Sequence, residues 1–190
     1  MFLLVSRQAP DFVAPAVLSN GVIIDRVHLH TTINGRYALL FFNPLALTLV
    51  CSSELSALDQ RAEEFRQRDV EILGITLDAL HRHSIWRNIP ADHLRPISYP
   101  LVVDVHGCIC RDYGLAAPGG TFASRGLFLL DRHGVVRYQA INDLPLHGEI
   151  DDLLRIVDAL QQSTPTSKLP RSAIDGPTSE GNRTSIQQHR

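Results

Sequence analysis

The sequence predicts an α/β domain with three layers, in which a central mixed sheet has helices on both faces. Apolar runs of strand length alternate with amphipathic stretches of helical period, which is typical of a mostly parallel sheet. Near the end of the pattern, two apolar runs flank the turn Asp-Arg-His-Gly, which is typical of an antiparallel hairpin. The chain has 190 residues, 44% of them hydrophobic and 20% charged, which is enough for one domain with a substantial core.

The strands are predicted from continuous apolar runs, because a strand buried on both faces shows no alternation with polar residues. The first is YALLFFN at 37–43, the second VEILGITLD at 70–78 and the third YPLVVDV at 99–105. The hairpin covers 125–141, with Gly134 in the turn, where a positive φ is expected.

Four helices are predicted, at 51–69, 79–88, 106–113 and 147–162. The first has an apolar stripe with charged residues on its other face, which indicates packing against the sheet. The stripe consists of Leu55, Leu58, Ala62 and Phe65. Gly114 is expected to end the third helix.

The composition divides the chain at residue 162. Half of the 28 residues from 163 to 190 are Ser, Thr, Pro or Gly, and none is aromatic. Such a segment cannot bury enough apolar surface to offset its ordering entropy. We therefore expect a folded domain over 1–162 and a disordered tail over 163–190.

Charge and cysteine content exclude several classes of protein. With 18 basic and 20 acidic residues the net charge is −2, so neither nucleic acid nor an anionic membrane is an expected partner. No apolar run reaches about 18 residues, so no membrane span is expected. The first residues lack the charged start and apolar stretch of a signal peptide. Three cysteines make no disulfide framework, and the reducing cytoplasm is the expected compartment.

Cys51 lies where an apolar strand gives way to a helix. The unpaired N–H groups and the dipole of a helix start favour an anion, so a thiol there has a lowered pKa and can act as a nucleophile. Thr48 supplies a nearby hydroxyl, Pro44 can shape a wall of a pocket, and Glu54 lies one helical turn after Cys51. The competing interpretation is a small buried side chain, because free cysteines are among the most buried residues.

The pattern Pro44-x-x-x-Thr48-x-x-Cys51 resembles the active-site motif of the peroxiredoxins. Further segments of the chain resemble the typical two-cysteine group, which includes the alkyl hydroperoxide reductase catalytic subunit, and they occur in the same order. They are APDFVAPAVLSNG, FFNPLALTLVCSSEL, ITLD, YPLVVDV, RDYGL, SRGLFLLDRHGVVRY and INDLPL. The resemblance runs from about residue 5 to 162.

The resemblance implies a thioredoxin-like fold and a thiol peroxidase that reduces hydroperoxides without a metal or organic cofactor. Cys51 corresponds to the peroxidatic cysteine, Thr48 and Pro44 to the pocket residues of the motif, and Arg125 to an arginine beside the thiolate. Glu54 corresponds to the acidic residue that orients this arginine. The implied partners are a hydroperoxide, thioredoxin or another thiol reductant, and further copies of the chain in a dimer or a ring of dimers.

One feature of the two-cysteine group is missing, because no cysteine occurs after residue 162 to resolve the oxidised Cys51. Either an external thiol reduces it, or Cys108 or Cys110 does so within the chain or across a dimer. At positions i and i+2 of a helix these two thiols face different ways, so they are not expected to bond to each other. Alternatively, one of the two cysteines packs in the core and the other has no specific role, or the pair binds a metal together with His106.

Two other functions are compatible with the same fold. A thiol–disulfide oxidoreductase needs a second cysteine close to the first, whereas Ser52, Ser53 and Glu54 follow Cys51. A redox relay or holdase chaperone with little peroxidase turnover is the remaining alternative.

Overall fold

The computed structural model describes six stretches of the chain: 3–20, 22–43, 49–77, 97–116, 125–142 and 149–163. The side chains of 49–53 and of Glu149 lie outside this description.

The described strands form one mixed sheet in the order β2-β1-β5-β4-β3-β6-β7. β3 and β4 pair in parallel, as do β4 and β5, whereas every other neighbouring pair is antiparallel. The strands are β1 (Val13–Val17), β2 (Ile23–His28), β3 (Tyr37–Phe42), β4 (Val70–Thr76), β5 (Leu101–Val103), β6 (Arg125–Leu130) and β7 (Val136–Asn142).

Helices cover both faces of this sheet, as the sequence predicts. The five described helices are α1 (Leu29–Ile33), α2 (Leu49–Gln60), α3 (Ala62–Arg66), α4 (Cys108–Asp112) and α5 (Glu149–Ser163). Buried side chains of α1 and α4 belong to one hydrophobic core. Those of α2, α3 and α5 belong to a second core on the opposite face. The three-layer α/β architecture is therefore confirmed.

β3 separates the two cores, because successive side chains of a strand point to opposite faces. Ala38, Leu40 and Phe42 join the core beneath α1 and α4. Tyr37, Leu39 and Phe41 join the core beneath α2, α3 and α5. All six residues are buried, which explains why this strand appears in the sequence as an unbroken apolar run.

The predicted single helix over 51–69 is wrong, because the structure has two helices with Arg61 between them. Arg61 has φ −105° and ψ 2°. Its N–H bonds to the carbonyl of Leu58, and the N–H of Glu64 bonds to the carbonyl of Arg61. These i to i+3 bonds tighten the chain at the break. The predicted stripe is nevertheless buried at all four positions.

Two further elements are shorter than predicted. The strand expected over 99–105 is limited to Leu101–Val103. Pro100 has no N–H for the ladder, and the carbonyl of Asp104 accepts from the N–H of Gly107 in a turn that leads to α4. The helix expected over 106–113 covers Cys108–Asp112. Gly114 follows it with φ 73°, as expected. The hairpin is confirmed, with Gly134 at φ 76° in its turn.

The sequence pattern did not indicate β1, β2 or α1. β2 is an edge strand with five of its six residues at least partly exposed, so it lacks the apolar run by which the other strands are recognised. The predicted helix over 79–88 and residues 164–190 of the predicted tail lie outside the described residues. The last helix runs to Ser163, close to the predicted end of the domain at 162.

Candidate active site

Cys51 is the third residue of α2 and lies in the first turn of this 12-residue helix. The first four N–H groups of a helix have no acceptor inside the helix, and the dipole makes this end partly positive. Cys51 thus lies at a helix start, as the sequence predicts, and its role as a thiolate stays a prediction. Pro44 and Thr48, the other residues of the motif, lie outside the described residues.

Glu54 and Arg125 form an ion pair one helical turn beyond Cys51. The Nε of Arg125 lies 3.0 Å from each carboxylate oxygen of Glu54. The Glu54 side chain is fully buried, and that of Arg125 is 16% exposed. A buried carboxylate is stable only when it is paired and hydrogen-bonded, so the guanidinium and the carboxylate hold each other in place.

Strand alternation places Arg125 on the face of the sheet that α2 covers. Leu127 and Leu129, two and four residues further along β6, belong to the core beneath α2, whereas Phe128 belongs to the other core. Arg125 has the parity of the two leucines and so points towards α2. This geometry explains why a residue 71 positions from Glu54 in the chain meets it.

Arg125 belongs to a row of polar residues that crosses four neighbouring strands at one end of the sheet. β6 and β7 pair Arg125 with Asn142. β3 pairs Phe42 with Ile75 of β4 and with Gly126 of β6, so the next residue, Asn43, falls between Thr76 and Arg125. The next row on the same face consists of Gly74, Phe41, Leu127 and Ala140. The face thus changes from apolar to polar at the end where α2 begins.

Asn43 connects the sheet to Glu54. It is 1% exposed, and its Nδ2 donates to Oε2 of Glu54 over 3.4 Å. Its backbone N–H bonds to the carbonyl of Ile75 at 2.9 Å, which fixes the residue at the end of β3. The side-chain oxygens of Asn43 and Asn142 are both buried, and neither has a hydrogen-bond partner among the described residues.

Asn43 is the site residue that the sequence did not reveal. The sequence pattern places Asn43 at the end of an apolar strand, where a single polar residue usually marks only the boundary of the strand. The signal that could have found it is the parity of YALLFFN, which puts Asn43 on the same face as Phe41 and so beneath the predicted helix.

Cys108 and Cys110 occupy different environments on α4. Cys108 is exposed, and Nη2 of Arg111 lies 3.1 Å from its sulfur. Cys110 is 4% exposed, and its backbone N–H donates to Asp104. Burial, followed by the negative charge of Asp104, raises the pKa of the Cys110 thiol to about 12.

The two candidate resolving cysteines are not brought to the Glu54–Arg125 pair. α4 packs on one face of the sheet through Ile109 and Cys110. α2 packs on the other face through Leu55 and Leu58. The sheet therefore lies between the helix that carries Cys51 and the helix that carries both other thiols.

Within the described stretches, no group of three or more His, Cys, Asp and Glu side chains could hold a metal ion. His106, Cys108 and Cys110 lie within these stretches and form no such group. None of the described helices is long and apolar enough to span a membrane.

Comparisons with known proteins agree with this geometry. Residues 5–139 match the model of the AhpC/TSA family. The chain is 38% identical over 160 residues to alkyl hydroperoxide reductase C of Buchnera aphidicola, covering 83% of this chain and 81% of the relative. It is 39% identical over 159 residues to peroxiredoxin-2 of Macaca fascicularis, covering 83% and 79%. The reduced 2-Cys peroxiredoxin of Plasmodium vivax superposes with a TM-score of 0.76 at 33% identity, covering 84% of this chain and 98% of that one.

Proposed function

Since the chain belongs to the AhpC/TSA family, we propose that it is a thiol-dependent peroxidase that reduces hydrogen peroxide and organic hydroperoxides with Cys51 as the attacking thiolate. The observation that carries the proposal is the Glu54–Arg125 pair, which is held on the buried face of the sheet one helical turn from Cys51. Reduction of a peroxide needs a thiolate and a fixed positive charge close together, and these elements supply both.

In the proposed reaction, the sulfur of Cys51 attacks the terminal oxygen of the hydroperoxide and the O–O bond breaks. The sulfur is oxidised to a sulfenic acid, and the leaving alkoxide or hydroxide takes up a proton. Arg125, Thr48 and the backbone N–H groups of the helix start stabilise the negative charge as the bond stretches. Pro44 shapes the pocket, and Glu54 orients the guanidinium.

The sulfenic acid must be reduced by thiols before it oxidises further. Two thiols of a reductant suffice: the first forms a disulfide with Cys51 and releases water, and the second displaces Cys51 as a thiol. The position of α2 and α4 on opposite faces of the sheet favours an external thiol, such as thioredoxin, over Cys108 or Cys110 of the same chain. The high pKa of Cys110 also disfavours this residue as an attacking thiolate.

We further propose that residues 1–162 form the thioredoxin-like peroxidase domain and that 163–190 lie outside it. A homodimer or a ring of dimers is the proposed assembly. The cytoplasm, where thiols stay reduced, is the proposed compartment.

The test measures hydroperoxide consumption with a thioredoxin system and maps the oxidised cysteines by mass spectrometry. Wild type is expected to turn over and to carry the first oxidation on Cys51, whereas Cys51→Ser is inactive. Cys108→Ser is the matched control and is expected to keep the activity. Equal, slow consumption by wild type and Cys51→Ser would refute the proposal. A Cys51–Cys108 or Cys51–Cys110 disulfide after one equivalent of peroxide would refute only the external reductant.

A further inference from the structure

We propose that Asn43 is a positioning residue for peroxide reduction, which holds the Glu54 carboxylate so that Glu54 aligns the guanidinium of Arg125. This inference rests on the proposed function and extends it to a residue outside the Pro44–Thr48–Cys51 motif.

The contacts form a chain from the sheet to the guanidinium. Nδ2 of Asn43 donates to Oε2 of Glu54, and the same oxygen accepts from Nε of Arg125, with Oε1 also 3.0 Å from this nitrogen. Asn43 is therefore linked to Arg125 by two successive hydrogen bonds and acts on it through Glu54. At 3.4 Å the amide contact is longer than the usual 2.7–3.2 Å. Catalytic hydrogen bonds are often long without substrate and shorten when it binds.

The anchoring of Asn43 suits it to this task. Its backbone is tied to β4 by the bond to Ile75, and its side chain is enclosed at 1% exposure. Asn43 directly follows β3, and its backbone bond to β4 extends the order of the sheet to this donor. By contrast, Glu54 reaches the pair from a helix, so a second contact from the sheet limits how far its carboxylate can swing.

The buried oxygen of Asn43 separates a positioning role from a purely structural one. A buried acceptor without a partner lowers stability, so an apolar residue of the same shape would fit the core better. Asparagine at this position therefore costs stability, and the amide donor to Glu54 is the contact that offsets the cost. Leucine has the same branching as asparagine, which makes Asn43→Leu the appropriate variant.

The experiment measures kcat/KM for hydrogen peroxide, the melting temperature and the pH dependence of Cys51 alkylation by iodoacetamide. For Asn43→Leu we expect kcat/KM to fall about tenfold, the lower end for loss of a hydrogen bond to a charged group. The melting temperature should not fall. The alkylation midpoint should move to higher pH, because a misaligned guanidinium stabilises the thiolate less.

Asn142→Leu is the matched control. Asn142 also has a buried oxygen without a partner and pairs with Arg125 in the register, but in the described part of the chain its side chain makes no hydrogen bond to Glu54 or Arg125. This variant is expected to keep kcat/KM within about threefold of wild type.

A double-mutant cycle with Glu54→Gln completes the test. If Asn43 acts through Glu54, adding Asn43→Leu to Glu54→Gln causes little further loss. Equal losses in Asn43→Leu and Asn142→Leu, an undiminished kcat/KM in Asn43→Leu, or fully additive losses in the cycle would each overturn the inference. Its failure is distinct from failure of the proposed function, in which wild type itself shows no consumption that depends on Cys51.

Discussion

Removal of the Arg125 charge should destabilise the domain through the carboxylate that it leaves behind. In Arg125→Met the side-chain volume is largely kept, but Glu54 stays fully buried without its cation. The Nδ2 contact from Asn43 remains and compensates only part of the charge. Deleting one partner of a buried pair is costly because the other charge is uncompensated.

The expected loss is about 3 kcal/mol, the lower end of the range for breaking a buried pair, because Arg125 is 16% exposed and water can reach the site. For a domain of this size it corresponds to a fall in melting temperature of about 6–12 °C. The double variant Arg125→Met/Glu54→Met removes both charges. It should recover about 2 kcal/mol of the loss, because a buried pair can be replaced by apolar side chains of similar volume. The donor left on Asn43 prevents full recovery.

Urea unfolding followed by circular dichroism measures these values, at one protein concentration because assembly shifts apparent stability. Arg155→Met is the control: Arg155 and Asp152 are paired but 76% and 66% exposed, so no measurable change is expected. Peroxidase activity should be lost in both Arg125 variants. The double variant should therefore regain stability without regaining activity. A double variant as unstable as Arg125→Met would refute the reasoning, since the cost would then not arise from the buried charge of Glu54.

Two further predictions concern other groups. Because its pKa is raised to about 12, Cys110 should resist iodoacetamide at pH 8 in the folded protein, while the exposed Cys108 reacts. Peptide mass mapping measures the labelling, and unfolded protein, in which both cysteines react, is the control. Labelling of Cys110 in the folded protein at the rate of Cys108 would contradict this. Although burial alone would raise it, the pKa of Asp131 is held below its usual 3.8 by the N–H of Val135 and the guanidinium of Arg137. The contribution of Asp131 to stability is present above pH 3.8 and is lost as the pH falls below this value. Asp131→Asn should therefore lower the free energy of unfolding at pH 6 and have a smaller effect at pH 2–3. Equal losses at both pH values would contradict the assignment.

The central sheet could be predicted from sequence because its inner strands are buried on both faces. The run at 37–43 has no other reasonable interpretation, and the hairpin is marked by the glycine of its turn. The break at Arg61 could not be predicted, because the apolar stripe continues across it with helical spacing. β2 escaped recognition because an edge strand needs little apolar surface.

The candidate site was only partly accessible to sequence reasoning. The peroxiredoxin-like motif made Cys51 the candidate nucleophile, which stays a prediction. The same resemblance linked Glu54 with Arg125, and the structure contains this contact. Asn43 could not be found in this way, because its importance depends on the register of three strands and on the helix packed over them. Sequence motifs report residues near each other in the chain, whereas this contact joins a strand end to a helix.

The polar row at the end of the sheet has a consequence for how such a protein can change over time. Thr76 and Asn142 are the last residues of their strands, Asn43 immediately follows its strand, and Arg125 is the first of its own. Among the described residues they form the last row of this face, and the rows beneath carry its apolar packing, so a substitution here acts on charge and hydrogen bonding rather than on that packing. The polar end of the sheet can therefore change in evolution at a cost set by its buried charges, while the apolar rows beneath keep the domain folded.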